Sequence, residues 1–173
     1  MNLVYLTLPK KLKVKTIKNA LKSFSGVQRR LTKIFKKKKV EFYDDYAHHP
    51  TEIKSVLEAV KKVVARRKII TIFQPHRYTR VKALKSEFAS CFKDTDQLIL
   101  CPVYAAGESI DKKYNQIKFA KLIAKFSKTQ VVIIKNELDI VKYLRKNLIN
   151  NEFVLGIGAG TISKWMHNLK DNL

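Results

Sequence analysis

Asp44-Asp45-Tyr46-Ala47-His48-His49-Pro50-Thr51-Glu52 gathers two carboxylates, a phenol and two imidazoles into its first six residues. A strand-like run, Val40, Phe42 and Tyr43, leads into it. A helix-like run leads out, with Ile53, Val56, Leu57, Val60, Val63 and Val64 at helical spacing. A strand end feeding a helix start is where open α/β sheets hold their ligands. The next strand-like run, Ile69 to Phe73, ends in the same way on Gln74-Pro75-His76-Arg77-Tyr78-Thr79-Arg80.

From there the alternation is regular. Pro50 suits the first position of a helix over about 50–66. Ile69 to Phe73 is almost continuously apolar, as a strand covered on both faces would be. One helix is predicted over about 79–92, with Val81, Leu84, Phe88 and Cys91 along a stripe. Strands at Leu98 to Cys101, Val131 to Ile134 and Phe153 to Ile157 alternate with helices. These carry Phe119, Ala120, Ile123 and Phe126, then Val141, Leu144 and Leu148, then Thr161 to Leu169. Before the opening cluster, Leu31 to Phe35 and Val40 to Tyr43 predict a hairpin joined by Lys36 to Lys39, lysines that discourage edge pairing. Residues 14–24 read as a helix stopped by Ser25-Gly26, and Leu3 to Leu8 is a strand candidate with no obvious partner. The expected fold is α/β, a doubly wound, mostly parallel, Rossmann-like sheet with an antiparallel edge hairpin. Ile70, Ile72, Ile99, Val132 and Leu155 are expected in the core of its central sheet.

The 173 residues suit one domain with a short appendage, and 46% hydrophobic residues suffice for a core. Lys and Arg number 36 against 14 Asp and Glu, a net charge of +22. A basic nucleic-acid-binding module is one reading of that charge, and an anionic membrane is another possible partner. The other reading is a lysine-decorated surface. It is favoured because the excess is spread over the chain and only Lys36 to Lys39 form a run. Cys91 and Cys101 lack metal-ligand spacing, and no metal site is expected; both should be reduced and partly buried. The apolar run before Pro9 is too short for a signal peptide or a membrane span. A cytoplasmic location without a membrane partner is expected.

Asp44 or Asp45 suits a ribose or a magnesium ion, and His48 and His49 suit donation to phosphate or carboxylate. The competing reading makes Asp and His caps of the strand and helix; the density of ionisable groups favours function. Arg77 and Arg80 are three apart and are expected to share a face of a helix's first turn. With His76 and the positive helix end they predict a site for a carboxylate or phosphoryl group. Pro102 to Glu108 and Gly156-Ile157-Gly158-Ala159-Gly160 follow further strands at the same sheet end. The third glycine comes one residue too early for a dinucleotide fingerprint. Close approach to an anion and a tight packing turn are equally good readings of it. Gly-x-x-x-x-Gly-Lys-[Ser/Thr], the phosphate-cradling pattern, occurs nowhere in these residues.

Phe24 to Arg30, Asp44 to Thr51, Phe73 to Arg80, Tyr104 to Glu108 and Gly158 to Gly160 together resemble the C-terminal domain of the Mur ligases. The likeness covers about residues 14–170 and is greatest to the member that joins L-alanine to UDP-N-acetylmuramate. It implies an ATP-dependent, amide-forming ligase of peptidoglycan precursor synthesis. In that family ATP phosphorylates the muramoyl carboxylate and the alanine amine displaces phosphate through a tetrahedral intermediate. Arg30, Asp45 and Tyr46 would lie at the nucleotide. His48, His76, Arg77 and Arg80 would face the acyl phosphate and the amino acid's carboxylate. The resemblance divides the chain into residues 1–30, a remnant of a central ATPase domain, and 31–173, the C-terminal domain. ATP and Mg²⁺ would be held mainly by domains this chain lacks. A truncated or split gene product is then expected, inactive alone, with a separate chain carrying the other domains as a candidate partner. A non-catalytic remnant or interaction protein is the alternative.

Overall fold

A computed structural model describes residues 28–173 except 65 and 150. The helix expected over 14–24, its Ser25-Gly26 stop and the Leu3 to Leu8 run lie outside the described residues. Strands form where apolar residues run on or alternate, and helices where they recur at three and four. The strands are β1 (Thr32–Lys37), β2 (Val40–Asp45), β3 (Ile69–Phe73), β4 (Gln97–Leu100), β5 (Gln130–Ile133) and β6 (Phe153–Ile157). The helices are α1 (Pro50–Val64), α2 (Tyr78–Ala83), α3 (Lys85–Ser90), α4 (Gln116–Ser127), α5 (Glu137–Asn147) and α6 (Ile162–Asn172).

The strands form one sheet in the order β1-β2-β6-β3-β4-β5. β1 runs antiparallel to β2, and every other pairing is parallel. The expected α/β architecture with its edge hairpin is therefore what the chain adopts. Alternate residues of each strand face opposite layers. Ile69, Phe73, Leu98 and Leu155 pack on α1 to α4, while Ile70, Ile72, Ile99 and Val154 pack on α5 and α6. Ile70, Ile72, Ile99 and Leu155 are fully buried, as expected of the central sheet. Val132 is the exception: β5 is an edge strand, and Val132 is only half-buried.

The single helix expected over 79–92 is two. Leu84 leaves helical geometry at φ −113° and ψ 30°. The Leu84 N–H still reaches the Arg80 carbonyl and Phe88 N–H the Leu84 carbonyl, both at 2.9 Å, so the two helices stay joined end to end. The bend lets Val81 and then Phe88 and Phe92 meet the same core, so packing overrides local periodicity. In the hairpin, Phe35 stacks on Phe42 with ring centres 4.2 Å apart. Glu41 accepts from both Lys33 Nζ and Arg67 Nη1.

Strand register fixes where the loops start. Asp45, Ile157, Phe73, Leu100 and Ile133 lie on one row across five parallel strands. The loops after β2, β6, β3 and β4 therefore leave the same sheet edge. A parallel bridge between His76 and Tyr104 carries the β3–β4 pairing beyond the strands.

Candidate functional site

In the loop after β2, two of the polar residues are structural. Asp45 is 2% exposed, and its carboxylate accepts from the Leu31 and Ala47 N–H groups at 2.7 and 2.8 Å. His49 caps α1: its Nδ1 accepts from Thr51 N–H at 3.3 Å. Glu52 reaches back to the His48 and His49 N–H groups at 2.9 and 3.1 Å, the reciprocal half of a capping box. Although burial opposes ionisation of Glu52, these amide bonds and the two histidines hold its carboxyl below the usual range. His48 is left to face the crevice. Its Nδ1 bonds the Tyr46 carbonyl at 3.0 Å; a carbonyl only accepts, so Nδ1 carries the proton and neutral His48 presents the Nε2 lone pair.

Asp44 is 1% exposed and binds Arg29. The Arg29 Nε donates to Asp44 Oδ2 at 3.2 Å, Ser163 Oγ donates to the same oxygen, and Oδ1 is buried with no partner among the described residues. The Arg29 Nη2 donates to the Gly158 carbonyl, and the guanidinium lies 4.7 Å from the centre of the Tyr46 ring. Arg29 and Leu31 hold positive φ, 59° and 47°, uncommon for such residues and set here by the pinned backbone. The Tyr46 N–H donates to the Arg29 carbonyl at 2.8 Å. Arg30, beside it, is exposed.

The loop after β3 brings in the second group. Arg77 is not in the first turn but precedes α2 with φ 68°, so it does not share a helix face with Arg80 in the manner expected. Its side chain is exposed. Arg80 Nη1 donates to His76 Nδ1 at 3.1 Å, which places the proton of neutral His76 on Nε2. Burial, then the charge of Arg80, then those of His48 and Arg77, lower the His76 pKa. The rings of Tyr46, His48, His76 and Tyr104 form a row with successive centres 5.2, 5.7 and 5.7 Å apart.

The glycine-rich loop after β6 is a packing turn. Gly158 has φ 149°, and a Cβ there would lie 2.8 Å from the Gln74 carbonyl oxygen; at Gly160 it would meet Gln74 Oε1 and Tyr104. Gln74, 3% exposed, braces this loop: Nε2 donates to Thr161 Oγ1 and Oε1 accepts from Ile162 N–H, both at 3.0 Å. Arg29 and Gln74 are thus the parts to which sequence alone gave no individual role, while Asp44, offered as a ribose or magnesium ligand or a cap, binds Arg29 and Ser163. Arg29 appeared only within the stretch Phe24 to Arg30, with no role of its own.

Tyr46, His48, His76, Arg80 and Tyr104 converge, with Arg29 behind Tyr46; Arg77 lies at the rim and Asp45 beneath. A neutral imidazole donor, an imidazole lone pair and a fixed guanidinium in one crevice can hold an anion and manage a proton beside it. Among the described residues no helix is long and apolar enough to cross a membrane.

Residues 29–160 match the family model described as Mur ligase, glutamate ligase domain. UDP-N-acetylmuramate–L-alanine ligase of Pelagibacter ubique is 46% identical over 155 residues, covering 90% of this chain and 33% of that protein. The enzyme of the same name from Rickettsia prowazekii is 37% identical over 163 residues, covering 92% of this chain and 33% of that one. The chain spans about a third of the length of these relatives. A crystal structure of UDP-N-acetylmuramate–alanine ligase from Thermotoga maritima matches with TM-score 0.69 and 25% identity, covering 92% of this chain and 33% of that one. Folylpolyglutamate synthase of Mycobacterium tuberculosis, TM-score 0.59 and 10% identical over 90% of this chain and 34% of its own, shares the fold.

Proposed function

The chain belongs to the Mur ligase family, and we propose that it is the C-terminal domain of an ATP-dependent ligase joining L-alanine to UDP-N-acetylmuramate. The observation that carries this reading is the convergence of His48, His76 and Arg80 at one sheet edge, on a chain 46% identical to a relative of that name. His76 Nε2–H and Arg80 are assigned to the developing negative charge of the acyl phosphate and tetrahedral intermediate, where preorganised donors are worth most. The His48 Nε2 lone pair is assigned to take a proton from the incoming amine. Arg77, exposed and free of the helix, is assigned to the amino acid's carboxylate.

The Tyr46 ring is 40% exposed, with Arg29 near its centre, and suits stacking on a nucleotide base. Arg30 is assigned to the same nucleotide. Asp45, with its oxygens committed to backbone, serves it by fixing Tyr46 and Ala47. Among the described residues no group of three or more His, Cys, Asp or Glu side chains is placed to hold a metal. The ligands of Mg²⁺ and the phosphate cradle of ATP are therefore assigned to the rest of the ligase, in the same polypeptide or a separate one, and the activity to the assembled whole.

The test is a graft of residues 29–173 onto the first two domains of a working alanine-adding ligase. It starts at Arg29 so that Asp44 keeps its partner. The composite should form UDP-N-acetylmuramoyl-L-alanine with ATP. Arg80→Ala should lower turnover about a hundredfold, equivalent to about 3 kcal/mol of transition-state stabilisation. Lys121→Ala, on the exposed face of α4, should change it less than about threefold. A folded composite that forms no product would instead make the chain a non-catalytic remnant.

A further inference from the structure

A cleft of about 440 Å³ opens between α2 and the start of α4. Tyr78 and Lys82 line it from the side of α2 opposite Arg80, so it is separate from the crevice of His48 and His76. Its floor is apolar and aromatic: Val81, Tyr114 and Phe119. Tyr114 packs edge-on to Tyr78 at 5.5 Å and lies 6.1 Å from Phe119, ring centre to ring centre. The walls are tied. Glu108 accepts from the Thr79 N–H at 3.2 Å and from the Thr79 hydroxyl, holding the loop after β4 against α2. Asp111 accepts from Lys113 N–H and Asn115 from Lys118 N–H, both at 2.8 Å.

The charges around this hollow are unbalanced. Lys82, Lys85, Lys113 and Lys118 line it against one acid, Asp111. None of the four is in an ion pair among the described residues. Lys118 stands in the first turn of α4, whose backbone is already positive, and no acid stands there. The Tyr114 hydroxyl is buried in the floor with no hydrogen-bond partner among the described residues. A lysine-decorated surface accounts for scattered cations, but not for four of them around a preformed aromatic hollow with an orphan hydroxyl.

We propose that this cleft is a second ligand site, taking a flat-ringed small molecule of about mononucleotide size that carries a phosphate or similar anionic group. The ring would lie on the Tyr78, Tyr114 and Phe119 floor. The anion would sit among the lysines at the start of α4. The volume falls within the range of small-molecule sites, about 300–1,000 Å³.

The experiment is a nuclear magnetic resonance titration of the ¹⁵N-labelled 173-residue chain with adenosine 5′-monophosphate. Parallel arms use adenosine and inorganic phosphate. The monophosphate should shift the amides of Tyr78, Lys82 and residues 113–119 saturably, with a Kd below about 1 mM. Each half alone should bind at least about tenfold more weakly. Joint Lys82→Ala and Lys118→Ala should weaken binding at least about fivefold, and Lys142→Ala with Lys146→Ala on α5 should not change it. Shifts confined to Tyr46 and His48, or shifts that never saturate, would overturn the site. Equal losses in both lysine pairs would reduce it to diffuse charge. Phosphate binding as tightly as the monophosphate would remove the role given to the ring.

Discussion

His76 sits between two cationic arginines and a second imidazole, partly withdrawn from water, and all of these disfavour a charge on it. Its folded pKa lies below the ordinary 6.5, with burial the largest cause and Arg80 the next. A histidine lowered in this way stabilises the fold above the unfolded pKa. That contribution is lost as pH falls through the folded value, because the unfolded chain then binds the extra proton. Following the His76 ring resonances against pH should give a midpoint below 6.5. Arg80→Ala should move it only part of the way back, since burial remains. A midpoint at or above 6.5 in the unaltered chain would contradict the geometry. At this scale the sequence was legible in kind but not in role. It offered Asp45 and His49 both as ligand groups and as caps, and no periodicity reveals that their lone pairs meet the backbone. Arg77 was placed on a helix face because spacing carries no information about a positive φ.

The β1–β2 hairpin hangs at the sheet edge with its outer strand largely exposed. Glu41 ties it down by joining Lys33 on β1 to Arg67 ahead of β3. The hydrogen bond from Lys33, then that from Arg67, holds its carboxyl at about 2, against an ordinary 4.5. The depressed carboxyl stabilises the fold above pH 4.5 and loses that effect as pH falls towards 2. Glu41→Gln should cost at most about 1 kcal/mol at neutral pH, since the group is near the surface. The gap between the two proteins in urea denaturation should close across that acidic window. A gap independent of pH would assign the loss to packing. Strands and most helices were readable because each repeats one period over enough residues to bury a face. The bend at Leu84 was not, because neither glycine nor proline marks it and the cause is a core assembled from distant residues.

Across the whole molecule, two layers of helices press on one sheet, and the centre and edge of that sheet are unequal. Ile72→Ala, in fully buried β3, should cost about 2–5 kcal/mol in urea unfolding. Val132→Ala, on half-covered β5, should cost less than about 1.5 kcal/mol. Equal losses would mean that something covers β5 in solution. The sequence exposed the layered plan through continuous apolar strands, but strand order depends on long-range pairing, which is why Val132 was expected at the centre. The seating of Arg29 has a mechanical consequence. The backbone coming from residue 28 is fastened to the ends of β2 and β6, not to the far side of the sheet. That joint is a fulcrum. Any pull on the backbone at residue 28 would therefore meet the Arg29 anchors first, and the Arg29 carbonyl holds the Tyr46 N–H directly.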